Sequence, residues 1–248
     1  MKLTIGTYNV CHCADFSLKE GNKIPVNIEK TARLISSTDI TGANELYQKS
    51  DKSELQNQTE KLAALSGHKY FEFGLGAEFR WGDSIGNAVL SKYPIVNVEK
   101  IAVSAPIDNE KRADENDWYE DRIIVKATVD IGVKVDYIST HFGLNLLEQE
   151  RMVDKLVEII DSCLNPVVLC GDFNSTPHSN ILKPIYERLT SAEDVVGKTD
   201  EFTLDSFNPY ITLDYIFLSK EFKVISYEVI KEISSDHFPI RAEVEIDV

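Results

Sequence analysis

Six short polar clusters, each lying against an apolar run of strand length, constrain this chain more than any other feature. They are TYN at 7–9, NE at 44–45, TH at 140–141, GDFNSTP at 171–177, LDY at 213–215 and SSDHFPI at 234–240. Asn9, Glu45, His141 and Asp172 lie at or just past the C-terminal ends of their runs, whereas Asp214 and the Asp236-His237 pair open theirs. In an antiparallel arrangement one strand's C-terminal end neighbours the next strand's N-terminal end. All six clusters can therefore share one rim. Polar residues scattered at random would show no such order.

The runs themselves predict strands at LTIGTYNV, ITGANEL, YFEFG, NAVLS, IVNVEKIAV, RIIVKATVDI, KVDYIST, PVVLCGD, LDYIFLS, FKVISYEVI and FPIRAEVEI. Gly132 turns RIIVKATVDI into KVDYIST as a hairpin. Helices are expected over 26–36, with Pro25 at its start, and over 53–66, with Leu55, Leu62 and Leu65 inward and Gly67 as the cap. The clearest helix is 146–161, where Met152, Val153, Leu156, Ile159 and Ile160 form one face. A shorter helix follows near 178–188. Two strand-rich halves carrying helices, without strict βαβ alternation, predict an α/β fold of two mixed sheets packed face to face with helices outside. No Pro, Gly or Ser run separates the halves, so residues 1–248 read as a single domain.

An apolar content of 43% is enough for a sizeable core. The net charge of −15 repels a polyphosphate backbone at long range, which argues against a tight, sequence-independent nucleic-acid binder. Cys11, Cys13, Cys163 and Cys170 form no disulfide framework. Cys11-His12-Cys13 lacks the spacing of a zinc finger and has no second Cys/His pair, so these cysteines are expected to be structural. His12 is expected to pack, and His68 and His178 to lie on the surface. MKLTIGTYNV lacks the apolar core of a secretory leader, and no run reaches the roughly 18 apolar residues of a membrane span. A cytoplasmic monomer is the expectation, or a secreted protein if a leader has been removed.

The cluster residues suit phosphoester hydrolysis. That reaction needs a cation for the phosphate, a base to orient water, and donors for the non-bridging oxygens. Glu45 and Asp236 offer oxygen ligands of the kind Mg²⁺ or Mn²⁺ takes. Asn9 and Asn174 offer neutral amides. His141 and His237 can donate to phosphoryl oxygens or exchange protons near neutral pH. Asp214 can orient one of those rings.

TYN, the Glu of ANEL, GNAVLSKYPI at 86–95, STH, GDFNSTP, LDYIFLS and SSDHFPI, in this order, resemble the endonuclease/exonuclease/phosphatase superfamily over residues 3 to 246. Any one tripeptide is weak; GDFN with SDH is a strong joint signal. The resemblance implies a deoxyribonuclease-I-like four-layer α/β sandwich and a divalent-metal phosphoesterase. It implies that Glu45 is the principal metal ligand, with Asn9 and Asp236 as its neighbours in the metal site. Asp172 would orient or deprotonate the attacking water, Asn174 would bind phosphate, Asp214 and His237 would form a hydrogen-bonded pair at the scissile phosphate, and His141 would be a second histidine there.

Departures narrow the choice of branch. Abasic-site endonucleases resemble one another in a tyrosine near the His141 position and an acidic residue where Cys11 stands, so that activity is in doubt. Asn44 replaces the Gln that many relatives have before the metal-binding Glu, and Thr212 replaces a basic residue two before the Asp of the DY motif. Three further residues are candidates for substrate. Asn87 either turns its amide to substrate or stabilises a strand entry. Arg122 either touches phosphate or, the favoured reading, forms a structural ion pair. Trp81, with Phe79 and Arg80 in the loop 74–86, could stack on a base or sugar. A second loop, 105–122, is dense in both signs of charge. Neither loop resembles an apolar membrane hairpin. The expectation is a Mg²⁺- or Mn²⁺-dependent hydrolase acting on a small or headgroup phosphoester. A non-specific nuclease is the alternative, and a binding module that has lost turnover is the more distant one.

Overall fold

Two pairs of parallel strands, each pair joined through a helix, form the centre of the fold. The computed structural model describes residues 1–52, 55–80, 82–106, 119–198 and 201–247. From the N-terminus the elements are β1 (Lys2–Asn9), α1 (Ile28–Ile35), β2 (Ile40–Lys49), α2 (Gln58–Ser66), β3 (Tyr70–Glu78), β4 (Ser84–Ser91), β5 (Ile95–Val103), β6 (Arg122–Asp130) and β7 (Lys134–His141). Then come α3 (Leu146–Ser162), β8 (Val167–Asp172), α4 (Lys183–Tyr186), β9 (Thr190–Ser191), α5 (Ala192–Val196), β10 (Asp214–Leu218), β11 (Phe222–Val229) and β12 (Ile240–Ile246).

One sheet has the order β11-β12-β1-β2-β4-β3, the other β5-β6-β7-β8-β10-β9. Each is mixed: β1 runs parallel to β2 and β7 parallel to β8, while the remaining neighbours are antiparallel. The alternation missing from the sequence pattern is thus present twice, as β1-α1-β2 and β7-α3-β8. Parallel strands need a long crossover, and a helix supplies it.

Leu3, Ile5, Ile40 and Val89 of the first sheet are buried in one cluster with Val125, Ala127, Tyr137, Val168, Cys170 and Ile216 of the second. The Tyr137 hydroxyl donates to the Gly6 carbonyl across that interface at 2.6 Å. Outside the second sheet, the predicted face of α3 is buried against Ile138, Leu169, Phe173 and Phe217. Outside the first, Ala32, Leu34 and Ile35 of α1 and Leu62 and Ala63 of α2 cover Ala43, Ala88 and Leu90. The result is the expected four-layer α/β sandwich.

Local deviations have simple causes. α1 starts after Asn27, whose side chain accepts the Lys30 N–H, rather than at Pro25. α2 starts at Gln58, and residues 53–54 of the expected helix lie outside the described residues. Its inward face is Thr59, Leu62, Ala63 and Ser66, so Leu65 falls off the edge of that face and is half exposed. His68, expected on the surface, is buried between Ser66 and Thr38, 2.7 Å from the Ser66 hydroxyl and 3.4 Å from that of Thr38. His178 is exposed, as expected. No helix among the described residues is long and apolar enough to cross a membrane.

Candidate active site

The register of the second sheet alone brings three candidate residues together. Asp172, the last residue of β8, pairs with His141 at the end of β7 on one side and with Asp214 at the start of β10 on the other. Gly171 makes that meeting possible. Its φ is +147°, and a Cβ there would lie 1.8 Å from the Thr140 carbonyl oxygen, so no side chain fits between β7 and β8. Beyond Asp172, the Asn174 N–H donates to Asp172 Oδ1 at 2.9 Å, and Asn174 itself adopts φ +45°. Its amide nitrogen donates to the Phe142 carbonyl at 2.9 Å and lies 3.4 Å from His141 Nε2.

The first sheet reaches the same point by a different route. Asn9 ends β1 and pairs with Asn44, but Glu45 is not at a strand end as expected; it lies inside β2. The pairing of β2 with β4 shifts between Ala43 and Leu46, and within that bulge Glu45 takes φ +59°. A bulge re-aims a side chain without ending the strand, and here it re-aims the carboxylate into the cleft. After β1, Cys11, His12 and Cys13 have φ of 41°, 59° and 59° and form a left-handed turn. That turn carries the His12 ring over the end of the site rather than into the core. The packing expectation for His12 is thereby corrected: its ring lines the cleft, tilted 37° against the Tyr47 ring with centroids 4.3 Å apart.

Asn9 joins the two halves. Its amide nitrogen donates to Glu45 Oε1 at 2.9 Å and to Asp172 Oδ2 at 3.0 Å, and its oxygen accepts the Cys11 N–H. That last bond fixes which end of the amide is which. Asn9, expected among the metal residues, therefore enters the site as the donor that orients both carboxylates. Next to Asp172 lies the His237–Asp214 pair, with Nδ1 to Oδ2 at 2.7 Å. His237 Nε2 is 3.5 Å from Asp172 Oδ2. Asp214 and Asn9 stand behind the cleft surface; Glu45, Asn87, Arg122, His141, Asp172, Asn174, Asp236 and His237 line it. Trp81 lies outside the described residues, as do residues 107–118 of the second loop. The cleft encloses about 560 Å³, with Tyr47, Ala77, Phe79 and Ile85 as an apolar wall.

Burial and charge set the protonation of the site. Burial pushes the Asp172 carboxyl up to about 7, against the pull of His237. Burial disfavours a charged His237 ring, but the Asp214 and Asp172 carboxylates outweigh it and raise the ring well above its ordinary value. His141 goes the other way: burial, with Arg122 and His237 adding to it, holds it well below and so neutral. Burial raises Glu45, the Asn9 bond lowers it, and the nearby Asp236 charge raises it again. Among the described residues, Glu45 has only His12 and His141 within ion-pair reach, at 3.8 and 3.9 Å. Two carboxylates turned into one cleft match the oxygen donor set of a hard divalent cation.

Sequence reasoning missed the second layer of support. Asn44 is fully buried; its amide donates to Asn87 Oδ1 at 3.1 Å and the Thr140 carbonyl at 2.9 Å, tying the two sheets beneath the site. Asn87 in turn donates to the Ile123 carbonyl at 2.8 Å, so this amide acts as a strut between the sheets at the cleft floor. Glu148 is buried beside Arg122, with Oε1 3.7 Å from the guanidinium Nε. Arg122 also lies 3.4 Å from Glu120. It thus forms the favoured ion pairs and lines the cleft as well. Gln149 donates to the Gly143 and Asn174 carbonyls.

Residues 6–237 match the Endonuclease/Exonuclease/phosphatase family. The chain belongs to that family. Its members are phosphoesterases, which states the activity coarsely. Three solved structures illustrate the likeness of fold. An endonuclease/exonuclease/phosphatase from Beutenbergia cavernae is 20% identical with a TM-score of 0.79, over 99% of this chain and 72% of that one. A family protein from Leptotrichia buccalis is 23% identical with a TM-score of 0.75, over 98% and 100%. A mannosyl-6-phosphatase from Bacteroides thetaiotaomicron is 16% identical with a TM-score of 0.70, over 98% and 100%. Among curated proteins, none matches the chain in sequence.

Proposed function

We propose that this family member hydrolyses a small or headgroup phosphoester, a diester or monoester, by in-line attack of water with Mg²⁺ or Mn²⁺ as cofactor. One observation carries the reading: a single buried amide, Asn9, holds the Glu45 and Asp172 carboxylates 2.9 and 3.0 Å from its nitrogen. The cation-type donor set and the buried base are thereby fixed to one another, as a reaction with separate charge-neutralising and proton-accepting groups requires.

Glu45 and Asp236 would hold the cation, which would neutralise the phosphate and the charge developing on it. Asp172, with an affinity for protons near neutrality, takes the proton of the attacking water. His237, held charged by Asp214, turns Nε2 toward the same carboxylate and can donate to a phosphoryl or leaving oxygen. Neutral His141 and Asn174 also line the cleft. Arg122 adds a positive charge at the cleft wall. The net charge of −15 and the apolar wall of the cleft favour a small substrate over long DNA. The likeness to a mannosyl-6-phosphatase agrees with that choice.

The test is a panel of bis(p-nitrophenyl) phosphate, p-nitrophenyl phosphate, sugar phosphates and supercoiled plasmid, each with and without Mg²⁺ or Mn²⁺. Metal-dependent turnover of the small esters is expected, falling by about 10³-fold in Asp172→Asn with unchanged circular dichroism. Plasmid nicking without turnover of small esters would assign a nuclease instead. No turnover of any substrate would leave a binding module.

A further inference from the structure

We propose that His12 is a ligand of the cation, and that this site is therefore a mixed nitrogen and oxygen site selecting a first-row transition ion such as Mn²⁺ or Co²⁺ over Mg²⁺. The inference deepens the function proposed above and rests on it.

The argument begins with the tautomer. His12 Nδ1 lies 3.1 Å from the Glu45 main-chain oxygen. A carbonyl only accepts, so Nδ1 carries the hydrogen and Nε2 of the neutral ring is left with a lone pair. That is how histidine metal ligands are oriented: one nitrogen donates to a carbonyl, which fixes the ring and frees the other. The free nitrogen faces Glu45 Oε2 at 3.8 Å. Both atoms offer a lone pair to the gap between them. A divalent ion at its usual roughly 2.0–2.2 Å from nitrogen and from carboxylate oxygen spans that distance.

The backbone is built around the same point. Cys11, His12 and Cys13 are three consecutive non-glycine residues with positive φ, each of which costs about 1 kcal/mol or more relative to the right-handed form. Strain of this kind persists where the surroundings over-determine it. Here Gln58, fully buried, donates to the His12 carbonyl at 2.6 Å while its oxygen accepts the Tyr47 N–H at 2.9 Å. Tyr47 carries the ring that lies tilted against His12. The β2 strand that supplies Glu45 thus also clamps the turn that supplies His12. Ligand atoms of Cys11, His12 and Glu45 all lie within 4.8 Å of one another, so a thiol is within reach as well. Imidazole raises the preference for transition ions over Mg²⁺, which favours all-oxygen surroundings.

The experiment measures binding rather than turnover. Mg²⁺, Mn²⁺ and Co²⁺ are titrated by calorimetry into the full chain, His12→Phe and Glu45→Gln; the phenyl ring keeps the contact with Tyr47. His12→Phe should weaken Co²⁺ and Mn²⁺ by tenfold or more and Mg²⁺ by less than threefold. An unchanged Co²⁺/Mg²⁺ ratio in a folded His12→Phe variant would overturn the assignment of His12. In that case loss of binding in Glu45→Gln would still support the cation site itself, whereas no cation binding by the wild type would sink both. Pulsed EPR of the Mn²⁺-loaded protein provides a second readout: imidazole nitrogen modulation that is lost in His12→Phe is expected, and its absence from the wild type, or its survival in the folded variant through His141, would overturn the proposal.

Discussion

The two strand–helix–strand units at the centre of this molecule, β1-α1-β2 and β7-α3-β8, solve the same problem in opposite ways. Each must turn a carboxylate into the cleft at the mouth of a parallel strand pair. The second unit bends its chain at Gly171 and Asn174, residue types that accept unusual backbone angles at low cost. Its functional side chain, Asp172, follows the glycine. The first unit bends at Glu45, and at Cys11, His12 and Cys13, so the side chains that face the cleft themselves carry the strain. In the second unit the site is compatible with a relaxed backbone; in the first it is maintained against local preference by the bulge opposite β4 and by the Gln58 clamp. A site under tension is where stability and activity are expected to part company.

The largest stability effect should come from removing the second unit's relief. Gly171→Ala drives a Cβ into the Thr140 carbonyl and should cost about 3 kcal/mol in urea unfolding. A loss under about 1 kcal/mol would show that β7 and β8 can separate, and the contrast between the units would collapse.

A second effect separates the outer layers. His68 lies buried beneath the first unit's helices, and its pKa is lowered from 6.5 to about 4 by burial, with the Lys92 charge adding to it. The folded state thus binds the proton more weakly than the unfolded chain. Its stability contribution is complete above pH 6.5 and is lost as pH falls towards 4, by about 3 kcal/mol in all. His68→Gln should flatten that acid limb of the stability curve. An identical limb in His68→Gln would show that the ring titrates freely.

The smallest effect has the opposite sign. Glu45→Gly relieves a left-handed non-glycine residue and removes a half-buried carboxylate, so it should stabilise the protein by about 1 kcal/mol while abolishing metal-dependent turnover. Destabilisation in the same melt would mean that the bulge is not strained and that the units differ only in sequence.

The contrast also explains which parts were readable in advance. His141, Asp172 and Asp214 sit at strand ends, and strand ends are visible as the edges of apolar runs. The hairpin around Gly132, the α3 face and the buried β8 run were readable for the same reason. Glu45 was legible as a residue but not in its position, because a bulge exists only relative to the partner strand. His12 reads in the sequence as a packing residue because nothing in Cys11-His12-Cys13 announces a left-handed turn. Glu148 and Gln149 were passed over because helical periodicity counts apolar residues. The spacing of Asn145 and Glu148 marks a helix start, but it does not reveal that the carboxylate turns to Arg122. The two βαβ units were missed because their crossovers are separated by long antiparallel stretches.

What the linear chain determined by itself is local: strands with polar ends, helices with one apolar face, and a set of residue types suited to hydrolysing phosphoesters. These follow from period, propensity and donor chemistry, which neighbouring residues settle among themselves. What only the tertiary structure decided is which atoms meet. Asn9 bridging Glu45 and Asp172, His237 held by Asp214, and the His12 ring facing Glu45 all depend on sheet register and on packing between layers. Those contacts join residues as far apart as Asn9 and Asp172, and only the buried interface between the two sheets holds them within hydrogen-bonding distance.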